Sequence, residues 1–148
     1  MTDQSAPAFR HPIRIALHDT DAAGVIFFGH LFRHLHDAYE SWMHELGFPL
    51  EAILKEAAWT LPIVHAEAHY QAPMRHGQTL SVELRVQRIG ERSVTLAYHV
   101  VDPTGARYAS GQTTHVCLDP TTGSACPLPE ALRRTWLEAL EVEADEGT

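Results

Sequence analysis

The sequence predicts an α+β domain in which a curved antiparallel sheet wraps one long central helix. Three observations carry that expectation. Residues 29–47 hold a broad apolar stripe at helical spacing. After residue 60 the pattern switches to period-two alternation in four successive stretches. The connections between those stretches are mostly short, which pairs them antiparallel. A single sheet must cover its apolar face, and the 29–47 helix is the only element large enough to do so. At 148 residues the chain suits one domain with one core. Residues 1–148 therefore read as a single domain, with a core over about residues 10–140 and an acidic end.

Taken in order, "IRIAL" at 13–17 alternates and reads as a short strand. In "GHLFRHLHDAYESWMHELG", Leu31, Phe32, Leu35, Ala38, Tyr39, Trp42, Met43 and Leu46 form the stripe, and Gly47 is a stop. "PLEAILKEA" at 49–57 predicts a short second helix, with Pro49 tolerated in its first turn. In "PIVHAEAHY", Val64, Ala66, Ala68 and Tyr70 alternate with His65, Glu67 and His69. In "LSVELRVQRI", Leu80, Val82, Leu84 and Val86 alternate with polar residues; "GER" turns the chain into "SVTLAYHVV". "DPTG" at 102–105 is a strong turn signal, and "ARYASGQTTHVCLD" reads as a last long strand. Gly111 inside that strand marks a bulge or a close backbone approach. "PEALRRTWLEALEVEA" closes the chain as an amphipathic helix, followed by an acidic tail expected to fray.

Composition narrows the function classes. Lysine plus arginine total 11 against 19 acidic residues, a formal net charge of −8, which argues against nucleic-acid binding. A few local arginines could still hold a small anion. No signal-type segment and no membrane-length apolar run stand in the sequence, and the expectation is a cytoplasmic protein away from membranes. Cys117 and Cys126 are the only cysteines and lack metal-type spacing; a disulfide between them is open, and two reduced thiols suit a cytoplasmic setting.

The stretch "HDTDAAGVIFFGH", residues 18–30, carries the chemistry. Asp21 lies just upstream of a helix that begins near Gly29. A helix N-terminus offers unpaired N–H groups and partial positive charge, which would polarise a carbonyl placed there. A carboxylate a few residues upstream could attack that carbonyl or activate a water that does. Gly24 and its alanine neighbours would let a substrate approach the backbone, and the apolar run Val25–Phe28 would exclude water and hold an acyl group. An aspartate before a helix also serves as a plain turn former or cap, and spacing alone leaves both readings open.

"DTDAAGVIFFGHL" resembles the signature of hotdog-fold acyl-CoA thioesterases of the 4-hydroxybenzoyl-CoA thioesterase type. The order of elements and the long apolar helix extend the resemblance over nearly the whole chain. It implies Asp21 as the catalytic carboxylate, the Phe28 N–H as the group polarising the thioester carbonyl, and Gly24 as the motif's glycine. Val25 and Ile26 would line the acyl group. Asp19 would support the loop. His30 departs from the asparagine or serine of many relatives and joins the candidate substrate contacts. "DTDAAGV" with the later "LPIVHAEAHYQAP" looks most like 1,4-dihydroxy-2-naphthoyl-CoA thioesterases, which adds His65 to the candidate acyl pocket. In "RIGERS", Arg92 and Ser93 are the nearest equivalents of residues that contact CoA phosphates or the acyl pocket, and an arginine fork suits phosphate.

The resemblance thus implies hydrolysis of an aromatic acyl-CoA to free acid and CoA. No cofactor is expected, coenzyme A being part of the substrate. Homo-oligomers, dimers or tetramers of hotdog domains, are implied as well. A short-chain thioesterase of broad specificity, a non-catalytic acyl-CoA binder, an acyl-thioester hydratase and a structural interaction domain remain the alternatives. Eleven histidines invite a metal reading, and His30 and His34 share a helix face, yet no HExxH or Cys/His cluster supports it. No metal is expected, and His30, His34, Asp37 and Glu40 read as a polar helix face. Glu40 is the runner-up carboxylate, since another branch of the fold carries its catalytic acid on the central helix.

Overall fold

A computed structural model describes residues 6–56 and 58–146, with side chains described to residue 140. Five strands, β1 (Phe9–Arg14), β2 (Ile63–Tyr70), β3 (Thr79–Ile89), β4 (Ser93–Val101) and β5 (Arg107–Val116), form one sheet. All pairings are antiparallel, in the order β1-β3-β4-β5-β2. Helices α1 (His30–Glu45), α2 (Leu50–Glu56) and α3 (Glu130–Glu146) complete it. The expected α+β class, the long central helix and the four later strands are all present.

α1 buries the stripe the sequence predicts. Leu31, Leu35, Ala38, Tyr39, Trp42 and Met43 are buried, while Phe32 and Leu46 pack at the margin. They meet the inward residues of the sheet, among them Leu80, Val82, Leu84, Leu96, Tyr98 and Val100. Each such large side chain withdrawn from water contributes roughly 1.5–3 kcal/mol. Gly47 ends the helix at φ +93° while the Phe48 N–H closes back on the Met43 carbonyl at 2.8 Å, a glycine C-terminal stop. Gly111 is a close approach: a Cβ there would lie 2.7 Å from Leu35 Cδ1 and 3.2 Å from the Glu67 carbonyl. α3 brings Leu132 and Trp136 to the same core, Trp136 stacking on Trp42 with centroids 6.4 Å apart.

Three expectations need correction. The first strand is Phe9–Arg14, not 13–17. β1 is an edge strand and so tolerates Pro12; past Arg14 the chain enters a single 3-10 turn, Leu17–Asp19. In β2 the alternation slips, because a register shift between Ile63 and His65 takes Val64 out of phase. Ile63, Ala66, Ala68 and Tyr70 then share the helix face, opposite the buried His115, Thr113 and Ala109. Finally, α3 runs through Glu146, so the first residues of the expected fraying tail are helical; the rest of that tail lies outside the described residues.

Candidate active site

The "HDTDAAGVIFFGH" segment folds as a tight hairpin against the start of α1. Thr20 bridges Ile26, the Asp21 N–H donates to the Val25 carbonyl at 2.9 Å, and the Phe27 N–H donates to the Asp19 carbonyl at 2.8 Å. Gly24 turns the tip at φ +79°, a conformation that disfavours side chains. The hairpin docks on residues 74–76: Ile26 N–H donates to the Met74 carbonyl at 2.8 Å, and Val25 bridges Arg75.

Asp21 projects from this hairpin as an exposed residue, its Oδ1 accepting the Ala23 N–H at 2.8 Å. That is a turn contact, and among the described residues no donor reaches Oδ2. Phe28 lies at the other arm of the hairpin. Its carbonyl accepts the Tyr70 hydroxyl from β2, and among the described residues nothing accepts its N–H. Gly29 precedes α1 without a side-chain cap, so the helix entrance keeps its positive end. Phe27 and Phe28 are exposed large apolar side chains with rings 4.6 Å apart, and His30 meets Phe27 edge-on at 5.5 Å. Beside them Val25, Ile26, Tyr70 and Met74 line a small recess of about 280 Å³.

Asp19 is wholly buried and anchors the hairpin to α1. Its Oδ2 accepts the Ala16 N–H at 2.9 Å and faces His34 Nε2 at 3.1 Å, while Oδ1 accepts from Arg33. Burial opposes its charge, but the Ala16 N–H, Arg33 and His34 outweigh that and hold the carboxyl below its ordinary value. Burial pushes His34 the other way for a base, below its ordinary value, against the pull of Asp19. His34 is therefore neutral near pH 7 with Nε2–H donating to Asp19. The polar helix face expected for His34 is corrected here: His34 points inward. Sequence spacing carries no signal for a partner fifteen positions upstream across a folded loop.

The other sequence candidates scatter. Glu40 lies on the exposed face of α1 with Asp37, Ser41 and His44, away from the Phe28 entrance. His65 stands on the outer face of β2, opposite Thr114, with Nε2 3.6 Å from Glu67 Oε2; within one chain it does not join the hairpin. Arg92 and Ser93 sit at the turn after Ile89, whereas the hairpin follows Arg14, which pairs Thr79. An eleven-residue strand separates those ends, roughly 30 Å at the usual rise. One chain therefore does not bring Arg92 and Ser93 to Asp21. Among the described residues no group of three or more His, Cys, Asp or Glu could hold a metal.

Sequence reasoning also missed an apolar recess of about 450 Å³ between α1, α2 and residues 59–63. His36, Tyr39, Trp59, Leu61 and Ile63 line it, and Tyr39 stacks between His36 and the buried His115. The Tyr39 hydroxyl is buried without a partner among the described residues.

The thioesterase-like superfamily profile matches residues 15–136, which span the hairpin, the central helix α1, the short α2, four of the strands and the start of α3. The chain belongs to the thioesterase-like superfamily. This thioesterase-like chain is 34% identical over 133 residues to a 1,4-dihydroxy-2-naphthoyl-CoA hydrolase of Microcystis aeruginosa, covering 90% of this chain and 95% of that one. Its fold matches the crystal structure of a 1,4-dihydroxy-2-naphthoyl-CoA thioesterase from Synechocystis with a TM-score of 0.83 at 29% identity, over 88% and 96% of the two chains. A gentisyl-coenzyme A thioesterase matches with a TM-score of 0.77 at 26% identity, over 84% and 98%. The hotdog fold implied by the sequence motif is the fold observed. Among the described residues no helix is long and apolar enough to cross a membrane.

Proposed function

We propose that this thioesterase-like domain hydrolyses an aromatic acyl-CoA thioester, of the 1,4-dihydroxy-2-naphthoyl-CoA kind, to the free acid and CoA. The observation that carries the reading is one hairpin holding an exposed carboxylate, Asp21, and an unpartnered N–H, Phe28, at a helix entrance. The thioester carbonyl accepts from Phe28 N–H, where the α1 dipole stabilises the growing oxyanion. Asp21 acts on the carbonyl carbon as nucleophile or through a water as general base, and the CoA thiolate leaves. Val25, Ile26 and Gly24 border the acyl group, and His30 lies beside it. CoA is part of the substrate, and the proposed steps call on no resident cofactor. The activities of these relatives support the aromatic acyl group.

The reading includes a second copy. β2 is an edge strand whose Tyr70 end meets the hairpin and whose Ile63 end lies with the 90–93 turn, through the pairings Ile63 with His115 and Val94 with His115. Antiparallel pairing of β2 with β2 of a second copy sets the partner's Ile63 end beside this chain's Tyr70 end. That supplies Arg92, Ser93 and the 59–63 recess to the site from the far subunit, which resolves their separation from Asp21 within one chain. It leaves His65 at the joint between copies.

The test is thiol release from 1,4-dihydroxy-2-naphthoyl-, 4-hydroxybenzoyl-, benzoyl- and short straight-chain acyl-CoA, with wild type and Asp21→Asn. One aromatic thioester turned over far above the rest, with a loss of about 10²–10⁴-fold in the variant, is expected. Full turnover by Asp21→Asn refutes the role given to Asp21. Heavy oxygen from solvent water found in the Asp21 carboxylate after a single turnover identifies the nucleophilic route through a mixed anhydride.

A further inference from the structure

A second reactive pair lies outside the thioester site. β5 continues into a tight hairpin in which Leu118 bridges Ala125 and the Cys126 N–H donates to the Cys117 carbonyl at 2.9 Å. This sets the two cysteines directly opposite each other, with their sulfurs 3.3 Å apart. Bonded sulfurs are separated by about 2.0 Å, so closing the bond takes an approach of about 1.3 Å between side chains already facing each other. Both are free thiols. Two sulfurs alone fall short of the four ligands of a structural zinc, and among the described residues no third ligand joins them.

We propose that Cys117 and Cys126 are a dithiol that closes to an intramolecular disulfide on exposure to a hydroperoxide. The two sulfurs have different roles. Cys117 is wholly buried in the core, whereas Cys126 is half-buried and reachable. Burial first, and then the Cys126 contact, push the Cys117 thiol up to about 12, so it stays protonated until its partner is oxidised. Cys126 thiolate attacks the peroxide; the O–O bond breaks, the departing oxygen takes a proton as an alcohol or water, and Cys126 becomes a sulfenic acid. The Cys117 sulfur then attacks the Cys126 sulfur. The S–S bond forms, the S–O bond breaks, and hydroxide leaves with the Cys117 proton as water. The two thiols give up two electrons and the peroxide takes them.

The bond would tie the segment entering α3 to the end of β5. Cys117 N–H donates to the Arg92 carbonyl at 2.8 Å and Leu128 N–H to the Glu91 carbonyl at 3.0 Å, so oxidation stiffens both attachments of the 90–93 turn. The pairing is independent of the function proposed for Asp21.

The experiment treats the full chain with hydrogen peroxide, alkylates in denaturant and reads intact mass and cross-linked peptides. The expected product is lighter by two hydrogen atoms, has lost both alkylatable thiols, links residues 117 and 126 within one chain, and reverts with dithiothreitol. In Cys126→Ser, a change at the more accessible member, Cys117 is expected to stay alkylatable under the same exposure. Two thiols surviving excess peroxide overturn the proposal. So do oxygen adducts held on Cys126 beside a free Cys117, disulfides only between chains, or Cys117 loss in Cys126→Ser at the wild-type rate.

Discussion

Replacing Asp19 by Asn tests whether the hairpin is held by a buried charge. Wild-type Asp19 takes three donors, the Ala16 N–H, Arg33 and His34 Nε2–H, and is fully excluded from solvent. Asn keeps one acceptor oxygen and turns an N–H₂ towards one of the two side-chain donors. Two charge-assisted bonds, at about 1.5–3 kcal/mol each, are weakened. Arg33 is 45% exposed and recovers water, so its share is discounted; His34 is buried and recovers nothing. The expected cost is about 2–4 kcal/mol, below the 3–5 kcal/mol typical of breaking a wholly buried pair. For a chain of this length that lowers Tm by roughly 5–15 °C. Calorimetry across pH adds a sign. A carboxylate held below its ordinary 3.8 stabilises the fold above that value and loses the contribution as pH falls through its folded value. The gap between wild type and Asp19→Asn should be widest near neutrality and close in acid below about pH 3.8. A variant within about 0.5 kcal/mol of wild type at pH 7, or a gap that widens in acid, refutes Asp19 as the anchor.

Further consequences follow from other contacts. Gly111→Ala puts a Cβ 2.7 Å from Leu35 Cδ1 and 3.2 Å from the Glu67 carbonyl, and because that carbonyl is backbone the strand must shift; a loss of about 1–3 kcal/mol in urea unfolding is expected. Tyr70→Phe removes the hydroxyl that donates to the Phe28 carbonyl and so loosens the peptide next to the proposed oxyanion donor. Its kcat should fall by about tenfold with Tm nearly unchanged, and an unaltered kcat argues against that peptide's role. His115 is buried, bonded to Thr113 and the Leu61 carbonyl, and pushed down to about 4 mainly by burial. A base whose folded value is depressed loses stability as pH falls from its ordinary 6.5 towards that value, on the order of 3 kcal/mol here. His115→Gln should flatten the unfolding free energy between pH 6.5 and 4 by about one proton.

The parts of this molecule legible in sequence are those set by local periodicity. α1 was readable because its stripe spans four turns, and Gly47 and Gly111 because only a glycine suits a left-handed stop or a backbone contact with Leu35. Asp21 and Phe28 could be marked as candidates because they are close in sequence and lie on the two arms of one hairpin. What escaped depends on contacts between distant segments. His34 reads as surface until Asp19 folds onto it, and Trp59, His36 and Tyr39 become a recess only when α2 closes over α1. Arg92 shows the deeper limit. A motif places it with Asp21 by function, whereas the pairing of Arg14 with Thr79 and of Ile89 with Val94 fixes them at opposite ends of β3. Since a rigid sheet cannot bring its own ends together, an assignment of both residues to one substrate is at the same time a statement about a second chain. Separating dimer from monomer by light scattering therefore tests the phosphate contact as directly as mutating Arg92 does: a monomer with full turnover removes Arg92 from the site.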